Sequence, residues 1–231
     1  MPPPDYPGGV ILGIDTSLGT AVAVTDPDGA VLAEQVSDNP LGHAEVIGTL
    51  VQSALAGAAL GPVGATSAPG AVEITAVAAG MGPGPFTGLR VGIAAARAFA
   101  LGRGIPVVPV VSHDAAALAI LLADPFADLP PFAVVTDARR REFAYTVYDG
   151  LDDDGLPVRR TEPAHILRTD LEERLAELGA ERREVSAISA AMIALAGARA
   201  LAAGRADGPA EPLYLRAPDV TLPAAPKRVG T

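Results

Sequence analysis

One pattern is met twice along the chain, and it limits the fold more than any other feature. A short apolar run ends in an aspartate with small or polar neighbours. A second strand-like run follows, then a tight turn, then a third run. In the first half the pieces are Val10–Ile14 ending at Asp15-Thr16-Ser17, Thr20–Thr25, the turn Asp26-Pro27-Asp28-Gly29, and Ala30–Ser37. In the second they are Phe132–Thr136 ending at Asp137-Ala138-Arg139, Glu142–Tyr148, the acidic turn Asp152–Gly155, and Leu156–Thr161. Short apolar runs bounded by Pro, Gly and Asp read as strands joined by turns. Each half therefore opens as an antiparallel meander, and the two form a weak internal repeat. Two copies predict two lobes facing each other across a cleft, with Asp15 and Asp137 at matching strand tips, pointing into it.

Helices are expected between and after the meanders. His43–Ala59 carries Val46, Ile47, Leu50, Val51, Ala54 and Leu55 at helical spacing, and Gly57, Gly61, Pro62 and Gly64 end it. Ile74–Ala79 reads as a strand. A helix from about Thr87, the expected N-cap, runs to Arg103. Val107–Val111 is a strand and Asp114–Ala123 a helix. Thr169-Asp170-Leu171-Glu172 reads as a capping box before Leu171, Leu175 and Leu178, and Val185–Ala203 as a long Ala-rich helix. No strand is evident between these last two helices. The expected class is α/β, a duplicated βββαβα unit with a reduced second lobe. The expected divisions are a tail at 1–9, a first lobe at 10–124, a linker at 125–131, a second lobe at 132–217 and a Pro-rich tail at 218–231.

Composition removes several chemistries. The chain of 231 residues has no cysteine, so thiolate metal sites, disulfides and cysteine nucleophiles are excluded. Its basic residues are arginines except Lys227, near the end, so no phosphate-loop or Schiff-base lysine can sit in the body of the fold. A net charge of −10 and the absence of tryptophan disfavour unaided binding to nucleic acid or to an anionic membrane. No basic-apolar leader opens the sequence and no apolar run approaches the roughly 18 residues of a membrane span, so a cytoplasmic protein is expected.

The loudest motif is Gly80-Met81-Gly82-Pro83-Gly84-Pro85-Phe86-Thr87-Gly88-Leu89-Arg90, between a strand and a helix. It matches neither the lysine-bearing phosphate loop nor the dinucleotide fingerprint. A helix N-terminus behind glycines can take an anion. The helix that follows is unusually slender, with Gly92 and Ala94, Ala95, Ala96, Ala98 and Ala100, which favours close packing or an interface. Asp15-Thr16-Ser17 could hold magnesium or phosphates, or form a turn bonded to its own backbone, and spacing does not separate the two. His43 and His113 have Ile47 and Ala117 four residues on, so neither belongs to a paired metal motif; no metal is expected.

Taken together, Ile14-Asp15-Thr16-Ser17, His43-Ala44-Glu45, Gly82-Pro83-Gly84-Pro85-Phe86-Thr87-Gly88-Leu89-Arg90-Val91-Gly92, Thr136-Asp137-Ala138-Arg139 and Pro212-Leu213-Tyr214-Leu215-Arg216 resemble the TsaB family of tRNA threonylcarbamoyladenosine biosynthesis proteins. The resemblance spans roughly residues 10–217. It implies the two-lobed fold of actin and sugar kinases. It also implies a non-catalytic, glycoprotease-like subunit that pairs with the metal-dependent transferase TsaD. The ATPase TsaE joins the complex, and the subunit pairs with itself when alone. By that resemblance tRNA is met only through the complex, no cofactor is held, and Asp15, Thr16, Ser17 and Asp137 are vestigial nucleotide-binding positions. The expected partner surface comprises His43, Val46, Ile47 and Leu50 of the first helix. From the glycine-rich loop and the second helix it takes Gly84, Phe86, Thr87, Leu89, Arg90, Gly92, Ile93 and Ala96. Pro85 stands where the family usually has serine, and no glycine-pair adenosine loop is visible near the C-terminus. The competing reading is an active small-molecule kinase or peptidase of the same fold.

Overall fold

A computed structural model describes residues 9–37, 39, 42–60, 73–209 and 211–215. Residues 1–8 of the expected tail at 1–9, the expected tail at 218–231, the glycines and proline at 61–64, and Arg216 lie outside the described residues. Two five-stranded sheets carry the chain. The first is built from β1 (Val10–Asp15), β2 (Thr20–Thr25), β3 (Val31–Ser37), β4 (Ile74–Gly80) and β5 (Val107–Val110), in the order β3-β2-β1-β4-β5. β1, β2 and β3 pair antiparallel, as the meander requires, while β4 and β5 add in parallel after crossover helices.

Alternation along β1 assigns the two faces. Leu12 and Ile14 join Val22, Val24, Val77 and Ala79 under α1 (His43–Leu60) and α2 (Phe86–Arg103). Ile11 points the other way, with Ala76, Ala78 and Val108, toward α3 (Ser112–Ala123) and α5 (Ala190–Ala202). α5 packs so closely that a Cβ on Gly13 would lie 2.1 Å from the Ala190 carbonyl oxygen, and one on Gly197 would lie 2.7 Å from the Ala78 Cβ. Only glycine permits that approach.

The second sheet holds β6 (Phe132–Asp137), β7 (Glu142–Leu151), β8 (Pro157–Arg159), β9 (Ala164–Leu167) and β10 (Glu181–Glu184). Its path is β10-β6-β7-β8, and β9 also pairs with β7. β8 meets β7 at Tyr148–Leu151 and β9 meets it at Glu142–Tyr145, so the third meander strand is present but broken around Pro163. Phe132, Val134 and Tyr148 face α3 and the shared core. Ala133, Val135, Tyr145 and Val147 are covered by Leu171 and Leu175 of α4 (Leu171–Leu178). The outcome is a two-lobed, actin-like α/β fold.

Several expectations are corrected. The segment between α4 and α5 is a strand, β10, in parallel pairing with β6. α2 begins at Phe86 after Pro85, so Thr87 is not its cap. The Thr169 capping box does not form: Asp170 is the N-cap residue without a side-chain cap bond, and the Thr169 hydroxyl donates instead to Asp170 Oδ1 at 2.6 Å. α5 starts at Ala190, where the Ser189 hydroxyl accepts from Met192 N–H, and not at Val185. α5 follows the second meander yet packs on the first sheet, so the second unit is not closed upon itself.

Candidate functional site

The ends of β1 and β4, the glycine-rich turn and the start of α3 converge on Asp15. Its carboxylate is 2% exposed and fully engaged. Oδ1 accepts from the Ser17 backbone N–H at 2.8 Å and the Ser17 hydroxyl at 2.5 Å, and Oδ2 accepts from the Ser112 hydroxyl at 2.5 Å. Ser112 Oγ in turn accepts from Gly82 N–H at 3.1 Å, and Ser112 N–H donates to the Gly82 carbonyl at 2.7 Å. A Cβ on Gly80 would fall 1.9 Å from Asp15 Oδ2, so the strand end is moulded to the carboxylate. Burial pushes the Asp15 carboxyl above its ordinary range, against the opposing pull of the bonds from Ser112 and Ser17. Asp15 therefore does not point into a cleft: it fastens the glycine-rich turn to two other elements.

Thr16 and His43 extend that fastening to the helices. The Thr16 hydroxyl donates to the Gly88 carbonyl at 2.8 Å, and a Cβ on Gly92 would lie 2.2 Å from Thr16 Oγ1. His43 Nδ1 lies 2.7 Å from the Thr20 hydroxyl, and its Nε2 sits 3.0 Å from where a Gly88 Cβ would be. Gly88 and Gly92 of α2 thus answer to a packing demand inside the chain.

A second cluster joins the lobes. His113 is wholly buried between α3 and the second sheet, with Nδ1 2.8 Å from Thr146 Oγ1 and Nε2 3.0 Å from Thr136 Oγ1. Burial, reinforced by the Arg159 charge, pushes its pKa down to about 3, so the ring is neutral at physiological pH. Beside it, Asp114 Oδ1 accepts from the Tyr148 hydroxyl at 2.8 Å and from Arg159 Nε at 2.7 Å, and Oδ2 from Arg159 Nη2 at 2.5 Å. A bidentate arginine–carboxylate pair fixes geometry as well as charge. Local patterns mark Thr146, Tyr148 and Arg159 only as strand residues and Thr136 only as part of a strand-end motif, so this cluster is not legible in the sequence.

Between the glycine-rich turn and the β6–β7 hairpin lies a cavity of about 340 Å³. Its walls include Leu18, Gly84, Phe86, Asp137, Arg139, Arg140, His165 and Tyr214. Asp137 does line it, and is exposed. Its Oδ1 accepts from Arg139 N–H at 2.7 Å and from Arg168 Nη2 at 2.8 Å, which hold the carboxyl below the usual range. Arg139, Arg140 and Arg141 have φ of 63°, 50° and 64°, three consecutive side-chain-bearing residues in the left-handed region. Each such placement costs about 1–2 kcal/mol for an L-residue. The C-terminal segment closes one side. Leu213 N–H donates to the Met81 carbonyl at 2.8 Å, Tyr214 packs on Phe86 with centroids 4.5 Å apart, and its hydroxyl accepts from Arg90 Nε at 2.9 Å. Arg90 stands 3.6 Å over the Phe86 ring.

Of the expected partner surface, half is consumed internally. Ile47, Leu89, Ile93 and Ala96 belong to the core under α1 and α2, and His43 and Gly92 are buried against Thr20 and Thr16. Val46, Leu50, Gly84 and Phe86 are half-buried, and Thr87 and Arg90 are exposed. The outward faces of the two helices carry Ala44, Gly48, Thr49, Gln52, Ala94, Ala98 and Leu101. Gly48 has no atom within 4 Å of a would-be Cβ, and Leu101 is 85% exposed. Among the described residues, no group of three or more His, Asp or Glu side chains is placed to hold a metal ion. No helix among them is long and apolar enough to cross a membrane.

The duplicated meander, the β3-β2-β1-β4-β5 order and the sealed strand-tip aspartate define a class: a two-lobed, actin-like α/β protein. The particular family follows from comparison. The family model for TsaD, tRNA N6-adenosine threonylcarbamoyltransferase, matches residues 22–201, and the chain belongs to that family as a TsaB-like, glycoprotease-type member. An uncharacterised protein of Mycobacterium tuberculosis is 38% identical over 220 residues, covering 90% of this chain and 92% of its own length. The tRNA N6-adenosine threonylcarbamoyltransferase of Chromobacterium violaceum is 34% identical over 137 residues, 54% of this chain but 39% of that enzyme. Among solved structures, YeaZ (TsaB) from Pseudomonas aeruginosa shares the fold, with a TM-score of 0.64, 23% identity, and coverage of 90% of this chain and 100% of that one.

Proposed function

We propose that this chain is a non-catalytic subunit in the formation of threonylcarbamoyladenosine in tRNA, pairing through the outward faces of α1 and α2 with a TsaD-type transferase. The observation that carries this reading is how the polar groups are used. The Asp15 carboxylate accepts from Ser17 and Ser112, and both His113 nitrogens face threonine hydroxyls, so the groups that chemistry would need are committed to holding the fold. Membership in the transferase family, with similarity to under half of a transferase's length, supports a companion role. The small residues outward on α1 and α2 let another helix pair approach closely, and the exposed Leu101 supplies apolar area. In this reading the chain self-pairs through the same face when alone, TsaE joins the assembled complex, and tRNA is held mainly by the partner, since a charge of −10 repels phosphate.

The test is pairing with the cognate TsaD-type protein, followed by size-exclusion chromatography with light scattering. Gly48→Arg and Ala98→Arg place a bulky cation on the outward face, and both positions are exposed. Each should abolish pairing while stability changes by about 0.5 kcal/mol or less. Pairing of both variants at parental strength would reject the surface. Gly92→Arg is unsuited to the purpose, because any side chain at Gly92 collides with Thr16 and disturbs the monomer itself.

A further inference from the structure

A second cavity, of about 410 Å³, opens where the two sheets approach each other through β5 and β8, the last strands of their orders. It shares no lining residue with the cavity beside the glycine-rich turn. Val110, Val111 and Ala196 are buried in its lining, and Leu156, Pro157 and Pro209 extend the apolar wall. The β7–β8 hairpin is propped against α5 by two arginines. Arg199 Nη1 donates to the Gly155 carbonyl at 2.5 Å, and Arg205 Nη1 to Asp152 Oδ2 at 2.5 Å. Asp152 Oδ1 accepts from the N–H groups of Asp154 and Leu156 at 3.1 and 2.8 Å, so the hairpin turn is fixed. The cavity is therefore formed by the chain itself, before any ligand enters. Val158 lines it and is 38% exposed, an apolar surface whose covering is favourable. The charges in the lining do not cancel. Asp114, Asp152 and Glu162 face Arg159 and Arg205, three carboxylates against two guanidinium groups. Asp154, the second partner of Arg205, and Arg199 behind the hairpin offset each other. One negative charge is left over. Glu162 is the most accessible of the three carboxylates, 81% exposed and touched by Arg159 through one oxygen only.

We propose that this cavity binds a small organic ammonium ion, its apolar body between α5 and the β7–β8 hairpin and its N–H groups donating to the Glu162 carboxylate at the mouth. A largely apolar cavity with a few polar groups at one end is the common form of a small-molecule site. Hydrogen bonds between an ammonium and a carboxylate are charge-assisted and stronger than neutral ones. The surplus negative charge, on a chain of −10 overall, attracts a cation and repels an anion. A cavity already propped open does not charge the ligand for ordering it. The site uses none of Gly48, Ala94 or Ala98, so it stands or falls apart from partner docking.

Amide resonances of the full chain, followed during titration with benzylamine, benzyl alcohol and methylamine, test the proposal. Benzylamine carries both the apolar body and the charge, and should shift Val110, Val111, Leu156 and Ala196–Ala200 and saturate. Benzyl alcohol lacks the charge and should bind at least about fivefold more weakly, the range of an exposed ion pair. Methylamine lacks the body and should bind at least about tenfold more weakly. Glu162→Gln should weaken benzylamine binding about fivefold at an unchanged melting temperature, since the side chain is exposed. Ala200 lines the cavity, and Ala200→Leu fills part of it, so benzylamine should bind at least about tenfold more weakly. Should the leucine variant not fold, Glu162→Gln still decides the matter. The proposal is overturned if benzylamine does not shift those amides saturably, if benzyl alcohol or methylamine binds as tightly, or if Glu162→Gln or a folded Ala200→Leu binds benzylamine as the parent does.

Discussion

Replacing Ser112 with alanine probes the fastening of the glycine-rich turn. The serine hydroxyl donates to Asp15 Oδ2 at 2.5 Å and accepts from Gly82 N–H at 3.1 Å, and all three residues are buried. Removing it deletes one hydrogen bond to a charged group, about 1.5–3 kcal/mol, and leaves the Gly82 N–H unpaired at about 1–3 kcal/mol. The Ser112 N–H bond to the Gly82 carbonyl remains and limits collapse of the turn. A net loss of about 3 kcal/mol is expected, or roughly 6–12 °C in melting temperature for a chain of this size. The loss should also depend on pH. Burial raises the Asp15 pKa above 3.8, so the native state holds its proton more tightly than the unfolded chain. Stability falls as pH rises from 3.8 through the folded-state pKa. The Ser112 bond opposes that rise, so Ser112→Ala drives the pKa higher and deepens the penalty where the carboxyl is charged. Urea unfolding followed by circular dichroism at about pH 4 and about pH 7 should give the larger loss at the higher pH. A loss below about 1 kcal/mol that is equal at both would show that Asp15 does not depend on Ser112.

Three further outcomes follow from the lobe junction and the C-terminal segment. Asp114→Asn leaves Arg159 without its bidentate partner and should cost about 2–3 kcal/mol in urea unfolding, discounted for an arginine that is 26% exposed. His113, pushed down from 6.5 to about 3, contributes stability that is present above 6.5 and lost as pH falls toward 3, so His113→Gln should flatten the acid limb of the stability profile. Tyr214→Ala removes the ring on Phe86 and the bond to Arg90, and limited proteolysis should then cut the chain after Gly208 faster with little change in global unfolding.

The meander strands were legible because buried strands write themselves as apolar runs and their turns as Asp, Pro and Gly. β2 runs from Thr20 to Thr25, as its pattern says. β10 was not legible: its residues, Glu181-Arg182-Arg183-Glu184, carry no apolar signal, and the strand exists through backbone pairing with β6. β9 was hidden because Pro163 splits the third meander strand and leaves four residues after it. The small residues of α2 point in the sequence to close packing or an interface, and Gly88 and Gly92 make room for Thr16 and His43 inside the chain. Periodicity marks an apolar face but does not say whether a sheet or a partner covers it. That is why Ile93 and Ala96 were assigned outward and lie in the core. Asp15 was placed by its strand end, but its partner Ser112 is 97 residues away, a distance no local pattern spans.

The internal use of Asp15, Thr16 and His43 bears directly on how α1 and α2 can serve a partner. A buried polar group without a partner is costly, so the groups buried at the strand tips must be satisfied from within the chain. Here Ser17 and Ser112 do so for Asp15, the Gly88 carbonyl for Thr16, and Thr20 for His43. Two of these bonds, Thr16–Gly88 and His43–Thr20, tie the first turns of α2 and α1 to the strand ends. The helices are thereby held in one arrangement by the chain itself, and the pairing proposed above would not have to supply the entropy of ordering them. Losing the Thr16 or Thr20 hydroxyl should therefore weaken pairing without altering any residue on the outward face, an effect that a surface acting only through its own side chains would not show.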